Sequence, residues 1–132
     1  MSRLLFDTTF LVDADRTGGA LDEVIDDDDD VAVAAITVAE LRVGVLVSKG
    51  RRRAARQAFV DDVLAAIPVL DYDVEVAAAH ADLLVHVRTV GRPRGAHDLL
   101  IAATSRASRR TVVTADVTAF ESLPGVETRA HR

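Results

Sequence analysis

Val31-Ala32-Val33-Ala34-Ala35-Ile36, VAVAAI, is a run of apolar residues with no polar alternation. A strand with one wet face alternates polar and apolar residues. A strand buried on both faces is apolar throughout, and its usual setting is a parallel sheet covered by helices on either side. The run therefore calls for further strands of its kind and for helices between them. Arg3-Leu4-Leu5-Phe6, ending at Asp7, supplies one upstream. Pro68-Val69-Leu70 and Thr111-Val112-Val113 supply two downstream, and Val126-Glu127-Thr128, after Pro124-Gly125, is expected as the last. Helices are expected from Thr8 to Asp15, punctuated by Gly18-Gly19, and from Thr37 to Lys49, with Gly50 as the stop. Arg51 to Ala66, with Phe59, Val63 and Ile67 on one side, Asp71 to Val90 and Asp98 to Arg109 follow as helices. Gly91-Arg92-Pro93-Arg94-Gly95 is the clearest loop. Strands alternating with helices give an α/β fold, a three-layer α/β/α sandwich around a central parallel sheet.

The 132 residues are expected to form a single domain, 1–132, with 49% hydrophobic residues but only 4% aromatic ones, so its core is built from Val, Leu, Ile and Ala. The absence of Cys excludes a disulfide framework and a Cys-based zinc site. No apolar run approaches the roughly 18 residues of a membrane span. Asp7 interrupts the N-terminus before a signal peptide could form, so the cytoplasm is the expected location. A net charge of −5 argues against coating nucleic acid by bulk electrostatics, but not against an enzyme that meets phosphates through a bound cation. Asp26 to Asp30 is an unbroken acidic run. An EF-hand would need Gly and Glu where Val31 and Thr37 stand, so a solvated loop or helix end is expected.

In open parallel sheets, ligands gather beyond the carboxyl ends of the strands. Asp7 follows the first strand directly, Glu40 lies a helical turn past the second, and Asp116 lies just past the Thr111-Val112-Val113 strand. Asp98 opens the helix that leads into that strand, and helix N-termini often face the same crevice. Carboxylates gathered there would repel one another and shift upward in pKa unless a cation held them. Such hard oxygen donors suit Mg²⁺, or Mn²⁺, and phosphodiester hydrolysis. Each acid also has a structural reading. Asp7 and Asp98 fit helix N-caps, Thr37-x-x-Glu40 fits a capping box, and Asp116 fits a turn. Spacing alone leaves both readings open.

The motifs themselves resemble a known family. Leu4-Leu5-Phe6-Asp7-Thr8-Thr9-Phe10-Leu11-Val12-Asp13 is similar to the opening motif of PIN-domain proteins. Ile36 to Gly44, Gly95 to Thr104 and Val113 to Phe120 resemble their second, third and fourth motifs, in order. The chain resembles VapC-type toxins of bacterial type II toxin–antitoxin systems. That resemblance implies a PIN-like sandwich and a Mg²⁺-dependent endoribonuclease that cuts structured RNA, of the tRNA or rRNA class, inhibits translation and is held silent by a small DNA-binding antitoxin. It implies Asp7, Glu40, Asp98 and Asp116 as the acidic, metal-binding set and Thr9 as a hydroxyl bonded beside it. One departure is Ala119, where the family often carries an acid or His, which leaves Asp116 as the only acid at that corner. A homodimer is expected, with an apolar groove for the antitoxin's helix.

Lys49-Gly50-Arg51-Arg52-Arg53, with Arg56, is the strongest basic run, a contact for RNA backbone or a solvated helix end. Arg92 and Arg94 precede Asp98 and are expected to be better placed for phosphate. His97 is not expected to be a ligand, since Mg²⁺ prefers oxygen, and His80 and His86 read as packing or surface residues. Haloacid-dehalogenase-like phosphatases need a second Asp where Thr9 stands. A receiver-like domain needs a Lys after a late strand, and the chain's one Lys is Lys49. The remaining alternatives are a non-catalytic acidic-pocket module and a PIN nuclease that processes RNA without an antitoxin.

Overall fold

The computed structural model describes residues 1–18 and 26–131. The sheet comprises β1 (Arg3–Phe6), β2 (Asp30–Ala34), β3 (Val69–Leu70), β4 (Thr111–Thr114) and β5 (Thr128–Ala130). The helices are α1 (Thr8–Thr17), α2 (Ala35–Leu46), α3 (Gly50–Ala66), α4 (Val74–Val90) and α5 (Ala96–Ser108), with a 3-10 turn at Val117–Ala119. All neighbouring strands are parallel, in the order β3-β2-β1-β4-β5. β1 lies at the centre, with Leu5 opposite Ala32 on one side and Val112 on the other. The order reverses direction between β1 and β4, and that is where a crevice opens at the carboxyl edge.

The strand side chains sort by the period of two. Leu4, Phe6, Val33 and Val113 pack with Phe10 and Leu11 of α1, Leu41 and Val45 of α2, and Val60 and Val63 of α3. Leu5, Ala32, Ala34 and Val112 pack on the other face with Val76, Ala79 and Leu83 of α4 and Leu99, Ile101, Ala102 and Ala103 of α5. Both faces are covered, so the three layers expected from VAVAAI are present. No helix among the described residues is long and apolar enough to cross a membrane.

Element boundaries differ from the sequence expectation where apolar pattern is a poor guide. Ala35 and Ile36 belong to α2, not to the strand, because β2 stops pairing at Ala34, opposite Leu70. Gly50 opens α3 with φ +60°, a left-handed value that breaks the chain between two helices after Val47 has already capped α2. Asp73 caps α4 by accepting from Val76 N–H at 2.9 Å, so the helix starts at Val74. β5 runs from Thr128 to Ala130, later than expected. Its position follows from pairing with β4, Val112 opposite Thr128, and its mostly exposed residues carry no apolar pattern. Gly18 ends α1 with φ +67°, while Gly19 lies outside the described residues. The acidic run is a turn leading into β2: the Asp29 carboxylate accepts the N–H groups of Asp26 and Ser2, and Asp28 faces the terminal amine at 3.4 Å.

Candidate active site

Asp7 sits where β1 becomes α1, on one lip of the switch point. Its carboxylate caps the helix, with Oδ1 accepting from Phe10 N–H at 2.9 Å. The hydroxyl of Thr9 donates to both oxygens, at 2.8 and 3.0 Å, and that of Thr114 donates to Oδ2 at 2.7 Å. A carboxylate offers about four lone-pair sites. These donors therefore fix its orientation and leave little of it unclaimed. Asp7 is only 1% exposed. Burial pushes its carboxyl above the ordinary aspartate range, Thr114, Phe10 N–H and Thr9 pull it down, and the charge of Glu40 pushes it up again. The structural reading of Asp7 is correct, yet a cap alone does not call for a buried anion with this many donors.

Thr114, at the end of β4, did not stand out in the sequence. Besides holding Asp7, its Oγ1 accepts from Asp116 N–H at 2.9 Å, so one hydroxyl joins the ends of β1 and β4 across the crevice. Thr9 reinforces the junction by accepting from Ala115 N–H at 3.3 Å. Asp116 leads into the 3-10 turn, where it is exposed and accepts from the hydroxyl of Thr118 at 2.7 Å.

Glu40 is not part of a capping box. α2 begins at Ala35, its N-cap is Ala34, and Thr37 is fully buried inside the first turns. The carboxylate of Glu40 instead crosses to α1: Thr8 Oγ1 donates to Oε1 at 2.7 Å and also lies 3.2 Å from Thr37 Oγ1. Its other oxygen faces His97 Nδ1 at 3.3 Å. Thr8, which local sequence pattern did not single out, and His97, which was set aside only as a metal ligand, are thus the groups that hold Glu40 in place.

Asp98 is not an N-cap either. α5 starts at Ala96, its cap is Gly95, and no side chain satisfies the first turn. The Asp98 carboxylate folds back over that turn, where acidic groups are favoured by the helix dipole. A β-carbon at Gly95 would lie 2.8 Å from Asp98 Oδ2, so glycine is what leaves the carboxylate its space. Desolvation raises the Asp98 pKa most, followed by the charges of Asp7, Glu40 and Asp116, with His97 opposing. Asp98 thus feels every other acid of the expected set.

The donor set is all oxygen, the chemistry that suits a hard divalent cation. It is not the tightest acidic group. Among the described residues, the acids whose oxygens lie within 4.8 Å of one another are Asp26, Asp28 and Asp29, in the turn before β2. Of the basic residues, Arg94 is spent on structure, donating to the carbonyls of Ala119 at 3.0 Å and of Glu121. Arg56 likewise donates to Gly44 O at 3.0 Å and to Ser48 Oγ.

Residues 4–125 match the family model described as PIN domain. A VapC ribonuclease, Y4jK, of Sinorhizobium fredii is 38% identical over 94 residues, 68% of this chain and 67% of that protein. The crystal structure of VapBC-5, a toxin–antitoxin system of Mycobacterium tuberculosis, contains a chain that superposes with a TM-score of 0.80 at 31% identity, over 98% of this chain and 99% of that one. The structure of VapBC2 from Rickettsia felis bound to a promoter DNA fragment shares the fold, with a TM-score of 0.87 at 23% identity over 97% of this chain and 98% of that one.

Proposed function

The chain belongs to the PIN-domain family as a VapC-type ribonuclease toxin, and on that premise we propose a Mg²⁺- or Mn²⁺-dependent endoribonuclease cutting structured RNA of the tRNA or rRNA class. Its action inhibits translation until a cognate antitoxin neutralises it.

The observation that carries this reading is the convergence of acids at the carboxyl ends of β1 and β4. Asp7 is buried there, Thr114 ties it to Asp116, Thr8 holds Glu40 beside it, and the charges of Asp7, Glu40 and Asp116 all act on Asp98. Like charges gathered at a half-enclosed edge cost free energy unless a cation offsets them. In this reading Asp7, Glu40, Asp98 and Asp116 are its ligands, directly or through water, and Thr9 positions Asp7. When bound, a hard cation in such an oxygen set polarises the phosphodiester and lowers the pKa of an attacking water. The chain's own contribution is orientation. Thr9, Thr114 and Phe10 N–H hold Asp7, while Thr8 holds Glu40 from the opposite side. Asp116 is the most exposed of the set, so the smallest effect of substitution is assigned to it.

An antitoxin partner is supported by the VapBC complexes to which the chain is similar. A cleft of about 150 Å³, lined by Val12, Leu41, Phe59 and Val60 together with Glu40, Asp15, Arg16 and Arg56, has room for an apolar side chain projecting from a partner helix. A homodimer completes the proposed assembly. The test is induced expression with and without the small reading frame adjacent to the gene, followed by mapping of RNA 5′ ends. Growth arrest with discrete new ends in tRNA or rRNA, both suppressed by co-expression, is the expected result. Arrest without new RNA ends would contradict the nuclease reading.

A further inference from the structure

Lys49, Arg51, Arg52 and Arg53 stand at the tip of the hairpin formed by α2 and α3, and all are exposed. The arginine ion pairs among the described residues use Arg3, Arg106 and Arg110. The side-chain hydrogen bonds from α3 start at Arg56 and Gln57. The cations of the tip belong to neither set, so a chain of net charge −5 concentrates in five positions four positive charges that have no ion-pair partner among the described residues. Their placement also runs against helix electrostatics, because α3 carries no acid in its first turn and no side-chain cap. Such a patch is unfavourable in isolation and becomes favourable against a polyanion.

The hairpin is braced. Arg42 donates to Gln57 Oε1 at 2.9 Å across the two helices, and Arg56 of α3 donates to the Gly44 carbonyl of α2 and to Ser48 Oγ just beyond it. The tip therefore keeps a defined position relative to Glu40, about 10 Å further along α2 at 1.5 Å per residue. A short stretch of RNA backbone spans that distance. Arg94 and Arg56, also candidates for phosphate, are already held by backbone carbonyls.

We infer that the α2–α3 hairpin tip is a docking surface for RNA backbone, with Arg51, Arg52 and Arg53 engaging phosphates that flank the one held at the acidic edge. This rests on the ribonuclease reading for its orientation, and its test is separable from it. The probe is bulk tRNA, bound in EDTA at a series of salt concentrations. The proteins are the wild type, the triple variant R51Q/R52Q/R53Q, and a control of equal charge, R88Q/R109Q/R129Q, whose residues are exposed elsewhere. Each phosphate contact contributes about 0.7–0.9 to the slope of log K against log salt. The tip variant is therefore expected to lose about two to three from the slope and to bind about tenfold to a hundredfold more weakly at 0.1 M salt. The control should stay near wild type. In a cleavage assay with the same RNA, the tip variant should show a raised KM at nearly unchanged kcat. Equal weakening by both triple variants, an unchanged slope for the tip variant, or no tRNA binding by the wild type would overturn the assignment. Binding with the expected slopes but no cleavage of either tRNA or rRNA by the wild type in Mg²⁺ or Mn²⁺ would overturn the nuclease reading and leave the docking surface standing.

Discussion

At the scale of single residues, the acidic edge trades stability for charge. Asp7 and Asp98 both have carboxyls raised above the ordinary range, chiefly by burial. The folded state then holds its protons to higher pH than the unfolded state does. Stability falls as pH rises from the unfolded value through the folded one, and the full cost is present at neutral pH. Asp98→Asn removes one such charge. Without divalent cation at pH 7, its melting temperature is expected to equal or exceed that of the wild type, and the advantage should shrink toward pH 4. A variant clearly less stable at pH 7 would show that Asp98 serves the fold. Thr114→Val has the opposite sign. It keeps the shape but removes a donor to a buried carboxylate, with an expected loss of about 1.5–3 kcal/mol in chemical denaturation. Gly95→Ala should alter activity more than stability, because the added carbon meets the end of a flexible side chain, Asp98 Oδ2, and displaces the group proposed to be a ligand. Of this network, Asp7, Glu40, Asp98 and Asp116 were legible from motif order, whereas Thr8, Thr114 and Gly95 were not. Thr114 meets Asp7 across 107 positions, a relation that only the pairing of β1 with β4 creates.

At the scale of elements, legibility followed the hydrophobic pattern. β1, β2 and β4 bury both faces and announce themselves as apolar runs, while β5 pairs at an exposed edge and is placed only by its partner. Helix starts were read from capping residues, and that signal misled twice. Ala34 and Gly95 cap α2 and α5 without side-chain bonds, so Thr37 and Asp98 fall inside their helices. Where a true side-chain cap exists, at Asp73 of α4, replacement by Ala should cost about 1 kcal/mol of stability with activity intact. Glu40→Gln separates the two readings of α2. A capping glutamate tolerates glutamine. Glu40 instead accepts from Thr8 and faces His97, so the variant is expected to melt near the wild type while losing about two orders of magnitude in cleavage.

At the scale of the whole molecule, the parallel sheet places the ends of β1 and β4 side by side, with α1 on one face and α5 on the other closing the crevice. A cation that binds only this folded arrangement must stabilise it by mass action. Mg²⁺ or Mn²⁺ should therefore raise the melting temperature of the wild type in a concentration-dependent way, and Asp7→Ala should lose that rise. The acidic edge is proposed to form one divalent-cation site for cutting RNA. Its most direct test is the initial rate of structured-RNA cleavage by wild type and Asp98→Asn, titrated with Mg²⁺, beside melting curves of the same preparations. No cleavage by the wild type in EDTA, saturable cleavage with Mg²⁺, and a folded variant slower by about two orders of magnitude or more are expected. Cleavage by the wild type that persists in EDTA, or a folded Asp98→Asn within threefold of it, would show that the acidic edge is not the cation site.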